Sequence, residues 1–147
     1  MTPGIFTLFC THGISYGFSL TEDCESPRTP FDIFKTRFKK APSTIIYDNA
    51  CKLHSFCLNR EPDFFKNTLF LVDRFHYRGH KACSLGYCCD LYLSFNHKII
   101  NTSVNEQANS SIQKLKPQLS YMKVPNFMKT LSLFFCVKNY YKNKTIG

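Results

Sequence analysis

Residues 45–57, IIYDNACKLHSFC, set an apolar run before an acid and then place Asp48, Cys51, His54 and Cys57 within ten positions. The run, extended to STIIYD (43–48), reads as a short buried strand, and NACKLHSFCLNR (49–60) reads as the helix that follows it. An acid at that junction stands beyond the carboxyl end of a strand, where open α/β sheets hold their ligands. The same position suits an aspartate that only caps the following helix. Local pattern leaves both roles open.

Outward from this junction the chain alternates. GIFTLFC and GISYGFSL, about residues 4–10 and 13–20, are β-rich runs joined by THG and predict a hairpin. TPFDIFKTRF (29–38) offers Thr29 as N-cap and Pro30 at the first helical position, with Phe31, Ile33, Phe34 and Phe38 as its apolar side chains. NTLFLVD (67–73) is a second strand that ends on an acid, Asp73. RFHYRGHKACSLGYCCDLYLSFNHK (74–98) is irregular and carries most of the histidines. From Ser103, Val104, Ala108, Ile112, Leu115, Leu119 and Met122 recur at helical spacing; Pro117 should kink or end that helix, and Pro125 should open another with Phe127, Leu131, Phe134 and Phe135 inward. The order is that of an α/β protein of one domain at most, without repeats or linkers.

Composition narrows the function. With 44% hydrophobic and 16% aromatic residues and only six glycines, the 147-residue chain can bury a core and is not disordered. Nineteen Lys and Arg against ten Asp and Glu, a formal charge of +9, favour anionic partners, nucleic acid first. Much of the excess lies in KTRFKK (35–40) and VKNYYKNK (137–144), each of which also reads as a solvated basic face. The first residues lack a signal peptide, and the longest apolar stretch, LSLFFCV (131–137), falls far short of the roughly 20 residues that cross a bilayer. The expected setting is therefore nuclear or otherwise intracellular, with no membrane contact and with self-association left open.

A reducing compartment makes the eight cysteines metal ligands or buried thiols rather than disulfides. His76, His80 and Cys83, with Cys88 and Cys89 close behind, have the loop spacing of a tetrahedral zinc site with Cys88 or Cys89 as fourth ligand. Cys51 and His54 form a second metal-capable set on the helix after Asp48. The alternative is that Cys88 and Cys89 are plain buried thiols and His76 a satisfied histidine. A Cys51–His54 nucleophilic pair is disfavoured, because both would lie on one turn of one helix. Glu106, early in the late helix, either forms a capping box with Ser103 or joins Asp48 as a metal-binding carboxylate.

The stretches GIFTLFCTHGISYGF (4–18), ESPRTPFDIFKTRF (25–38), 45–84 from IIYDNACKLH to GHKACS, and VNEQANSSIQKLKPQLSYM (104–122) resemble the transposase region of the Kyakuja, Dileera and Zisupton (KDZ) superfamily of DNA transposons. They are similar, too, to a related domesticated segment at the end of an HMG-domain protein. The resemblance covers about residues 3–140. It implies an RNase H-like, DDE-type mixed sheet with flanking helices and a Cys/His-rich zinc insertion at about 74–98, followed by C-terminal helices at about 103–142. The hairpin would supply the second and third strands, TIIYD the fourth with Asp48, LFLVD the fifth, and Glu106 the helical acid. The first strand, with the first catalytic aspartate, is expected before residue 4, since Asp23 and Asp32 fall in the next loop and helix.

The resemblance thus implies a partial copy of a Mg²⁺-dependent DNA-cleaving and strand-transferring enzyme. Alone, it should bind DNA weakly through its charge and not cut it. The alternative is a non-catalytic, zinc-stabilised module binding nucleic acid or protein.

Overall fold

The computed structural model describes residues 4–21, 26–81, 83–96 and 103–146, except the side chains of 93–96. Along the chain run β1 (Gly4–Phe9), β2 (Ser15–Thr21), α1 (Arg28–Arg37), β3 (Thr44–Ile46), α2 (Ala50–Arg60), α3 (Pro62–Phe65) and β4 (Leu69–Leu71). Then follow α4 (Arg74–Tyr77), a 3-10 turn (Leu85–Tyr87), α5 (Cys89–Asn96), α6 (Val104–Gln113), α7 (Lys116–Leu119) and α8 (Val124–Ile146). Contacts divide the chain into two compact units: residues 1–20 with 103–147, and residues 21–102.

In the first unit, β1 and β2 pair as a two-stranded sheet. Their turn closes through Gly13 N–H to Cys10 O at 2.9 Å and Cys10 N–H to Ile14 O at 2.9 Å. Gly13 has φ 82°, and a Cβ there would meet only ordinary contacts such as Lys142 Cε at 3.6 Å. The dihedral, rather than lack of space, selects glycine. The predicted stripe of α6 and α7 buries Ala108, Ile112 and Leu119 and half-buries Val104, Leu115 and Met122. Pro117 lies in the first turn of α7, where its missing N–H costs nothing, and the helix breaks just before it.

Pro125 has the same early place in α8. From α8, Phe127, Leu131 and Phe135 are buried and Phe134 is half-buried, so the four residues expected to face inward do pack on the core. Ile5, Phe9, Phe18 and Leu20 of the hairpin close over this cluster. Each large side chain so buried contributes about 1.5–3 kcal/mol relative to exposure.

The second unit is built on a parallel pair. β3 and β4 align Thr44 with Leu69, Ile45 with Phe70 and Ile46 with Leu71. Parallel strands need a crossover, and α2 with α3 supplies it. Ile45, Phe70, Leu71 and Val72 pack with Ala50, Leu53 and Cys57 of α2 among the buried residues, as Phe65 does from α3 and Ile33 and Phe34 from α1. Phe65 gathers the rings of Phe31 (5.8 Å), Phe34 (6.5 Å) and Phe70 (6.1 Å). Helix α1 starts at Arg28 with Pro27 as N-cap, so Thr29 lies inside the helix; Arg28 N–H bonds Ser26 Oγ (3.3 Å) in the preceding turn.

The elements are thus mixed α/β, with the described strands in two two-stranded sheets. No helix is long and apolar enough to cross a membrane among the described residues.

Candidate metal centre

After β4 the chain gains one further parallel bridge, Val72 with Cys88, through Val72 N–H to Tyr87 O (2.7 Å) and Cys89 N–H to Val72 O (3.2 Å). The bridge returns the 74–88 loop to the sheet. Within it, α4 begins at Asp73, whose Oδ1 accepts from Phe75 N–H (2.9 Å) and His76 N–H (3.2 Å). Its Oδ2 pairs with His76 Nδ1 at 2.5 Å. A strand that ends on an acid here becomes a helix N-cap, which needs a short side-chain oxygen just outside the first turn.

The loop then turns back. His80 Nδ1 lies 3.2 Å from Cys83 Sγ and 3.7 Å from Cys51 Sγ on the first turn of α2. The ligand atoms of Cys51, His80 and Cys83 all fall within 4.8 Å of one another, and all three residues are half-buried. The Cys83 thiol is pushed above its ordinary value, first by its hydrogen bond with Cys51 and then by burial. Two thiols and an imidazole so close fit a borderline-soft ion such as zinc, which binds the thiolate and neutral imidazole forms. The set does not fit Mg²⁺, which demands oxygen ligands.

Two side chains stand behind this group. His54, one turn after Cys51 on α2, stacks on Phe70 at 4.7 Å, and its Nδ1 lies 2.8 Å from the Tyr87 hydroxyl. Burial holds the His54 imidazole below its usual value and so in the neutral form that can ligate. The Tyr87 hydroxyl is pushed up by burial and then by the charges of Cys51 and Cys83. Nothing in the local pattern marked Tyr87; its place follows from the Val72–Cys88 bridge.

Of the residues singled out from the sequence, the fold brings Cys51, His80 and Cys83 together. His76 is exposed and faces Asp73. Cys88 is half-buried at the bridge, and Cys89 is fully buried with its thiol pushed up to about 11, first by burial. The mirrored spacing of Cys51-x2-His54 and His80-x2-Cys83 was the signal that could have joined the α2 residues to the loop ahead of any structure.

Asp48 stands two residues past the end of β3, and Asp73 stands two past the end of β4 in the same register. Asp48 is half-buried, and its Oδ1 accepts from Asn49 N–H at 2.9 Å. Asn49, the N-cap of α2, makes no side-chain cap bond. Glu106 is exposed in the first turn of α6 in the other unit, and the Ser103 side chain makes no cap bond there. The Ser103 half of the expected capping box is therefore not formed.

The comparisons bear on what this frame belongs to. No curated protein and no solved structure matches the chain. The family profile described as Kyakuja-Dileera-Zisupton transposase matches residues 1–139, spanning the hairpin, the parallel pair, the Cys/His group and most of α8. By that match the chain belongs to the KDZ transposase family.

Proposed function

We propose that this transposase-derived chain contributes to a two-metal DNA-cleaving and strand-transferring site of RNase H-like type, in which Asp48 is a Mg²⁺-holding carboxylate. Held by Asp48, Mg²⁺ would supply Lewis-acid polarisation of the scissile phosphate and would lower the pKa of an attacking water or 3′-OH. The observation that carries the reading is the placement of Asp48 at the carboxyl edge of the β3–β4 pair, immediately before the helix that bears Cys51. Zinc on Cys51, His80 and Cys83 would tie the start of α2 to the loop after β4, with His54 and Tyr87 behind the ligands. The ligand set would thereby fix the helix end next to Asp48.

A specific observation supports a second reading, a non-catalytic zinc-stabilised binding module. Asp73, the acid aligned with Asp48, has both oxygens engaged by α4 and His76, so it is not offered to a metal. Asp48 alone leaves a pair of near-octahedral ions under-coordinated, and further acids must complete the catalytic site.

Mn²⁺ binding measured by electron paramagnetic resonance tests the assignment without requiring turnover. The catalytic reading expects binding that weakens on Asp48→Ala. Binding indifferent to Asp48→Ala removes that acid from the site and leaves the module reading. Nicking of supercoiled plasmid that disappears in Asp48→Ala shows instead that the chain is catalytically complete as it stands.

A further inference from the structure

The positive charge is unevenly divided. The unit formed by residues 1–20 and 103–147 holds seven lysines and one acidic side chain, Glu106, while the other unit holds nine acids against twelve Lys and Arg. Residues 107–147 contain no acid at all. Every ion pair among the described residues lies within residues 21–102. Among the described residues, no lysine of α8 takes part in one.

That charge is also held in place. Asn139 accepts from Ser15 N–H (2.8 Å) and donates from Nδ2 to Ser15 O (2.9 Å), clamping the C-terminal half of α8 to the hairpin. On the same side, Lys138 Nζ lies over the rings of Phe9 (6.0 Å) and Phe134 (5.8 Å), and Lys142 lies against the Gly13 turn. Lys138, Tyr141 and Lys142 follow at i, i+3 and i+4, one stripe of the helix. Tyr141, on the same stripe, is 65% exposed. Four residues advance a helix by about 6 Å, close to the axial rise of two nucleotides on one DNA strand at about 3.4 Å each.

The bland alternative is that these lysines only complement the negative end of the helix. That effect fades within the last turn, and Lys138 lies about two turns before it. The Lys138 ammonium is moreover held below its ordinary value by partial burial and then by Lys142, a like-charge crowding that an external anion relieves.

We propose that the Lys138–Tyr141–Lys142 face of α8, braced by the hairpin turn, is a docking surface for the phosphate backbone of duplex DNA. This rests on the reading of the chain as a DNA-acting protein. Phosphate contacts carry no sequence information, so the surface would position the duplex and not select sequence.

Fluorescence anisotropy of a labelled duplex, titrated with the full 147-residue chain over a series of KCl concentrations, tests it. Lys138→Gln/Lys142→Gln should bind several-fold more weakly, with the salt slope shallower by about 1.8, two phosphates at about 0.9 each. Lys39→Gln/Lys40→Gln removes the same charge from two exposed positions of the other unit and should change the slope little. Because Lys138 packs on two rings, Lys142→Gln alone is the variant that spares the core, with an expected slope change of about 0.9. Equal losses in both double variants, or no loss in Lys142→Gln, overturn the assignment of the surface while the DNA-binding reading stands. No duplex binding by the unaltered chain overturns both. Displacement of the duplex by polyglutamate at matched charge, more readily than by unlabelled duplex, redirects the surface to an acidic protein.

Discussion

Cys51 Sγ on the first turn of α2 and His80 Nδ1 in the loop after α4 lie 3.7 Å apart across 29 positions of sequence. The contact joins the helix that follows one strand of the parallel pair to the loop that follows the other, at the edge where Asp48 stands. A metal ion held there would link backbone segments that hydrogen bonds of the sheet do not reach.

Zinc should copurify at about one equivalent, as for a single tetrahedral site. Elemental analysis of Cys51→Ser and Cys83→Ser should show most of it lost, and His54→Ala should weaken retention against a chelator. His76→Ala should keep the metal, because His76 faces Asp73. Loss of zinc in His76→Ala with full retention in Cys51→Ser would rule out the proposed ligand set.

Asp73→Ala should cost about 1 kcal/mol, the usual penalty for losing a helix N-cap. The loss should be local. Amide exchange should quicken at Phe75 and His76, whose N–H groups the carboxylate receives. Unchanged exchange at both positions would show that the cap does not hold α4.

Leu53 and Leu131 are each fully buried, one in each unit. Leu53→Ala and Leu131→Ala should each destabilise by about 2–5 kcal/mol in urea unfolding, the range for a core leucine cut back to alanine. A loss below about 1 kcal/mol at either site would contradict the packing described there.

Thiol reactivity should sort by burial. Cys136 is exposed, whereas Cys57 is fully buried, with its thiol pushed up by burial to about 12 from 9.0. At pH 8 only roughly one part in 10⁴ of such a thiol is ionised, and the thiolate is the nucleophile. Iodoacetamide followed by peptide mapping should label Cys136 quickly and Cys57 only on unfolding. The same shift sets a sign for stability. The unfolded thiol ionises near 9 while the folded one stays protonated, so its contribution is complete below pH 9 and is lost as pH rises towards 12.

Much of this protein was legible in one dimension, for a physical reason. The hairpin, the strand–helix junction at Asp48, the stripe from Val104 to Met122 and the break at Pro117 depend on side-chain periodicity and on backbone groups a few residues apart. Such interactions are written locally. The fate of Asp73 was nearly as local, since an acid just before a helical turn is a favoured cap. The choice among Cys51, His54, His76, His80, Cys83, Cys88 and Cys89 was of another kind. It was settled by the parallel register of Ile46 with Leu71 and by the bridge of Val72 with Cys88, which bring α2 and the loop to one edge. Periodicity carries no information about a contact spanning 29 residues, because that contact depends on how strands pair and which way the loop returns. The sequence determined which residues can bind a metal, and the tertiary structure decided which of them meet.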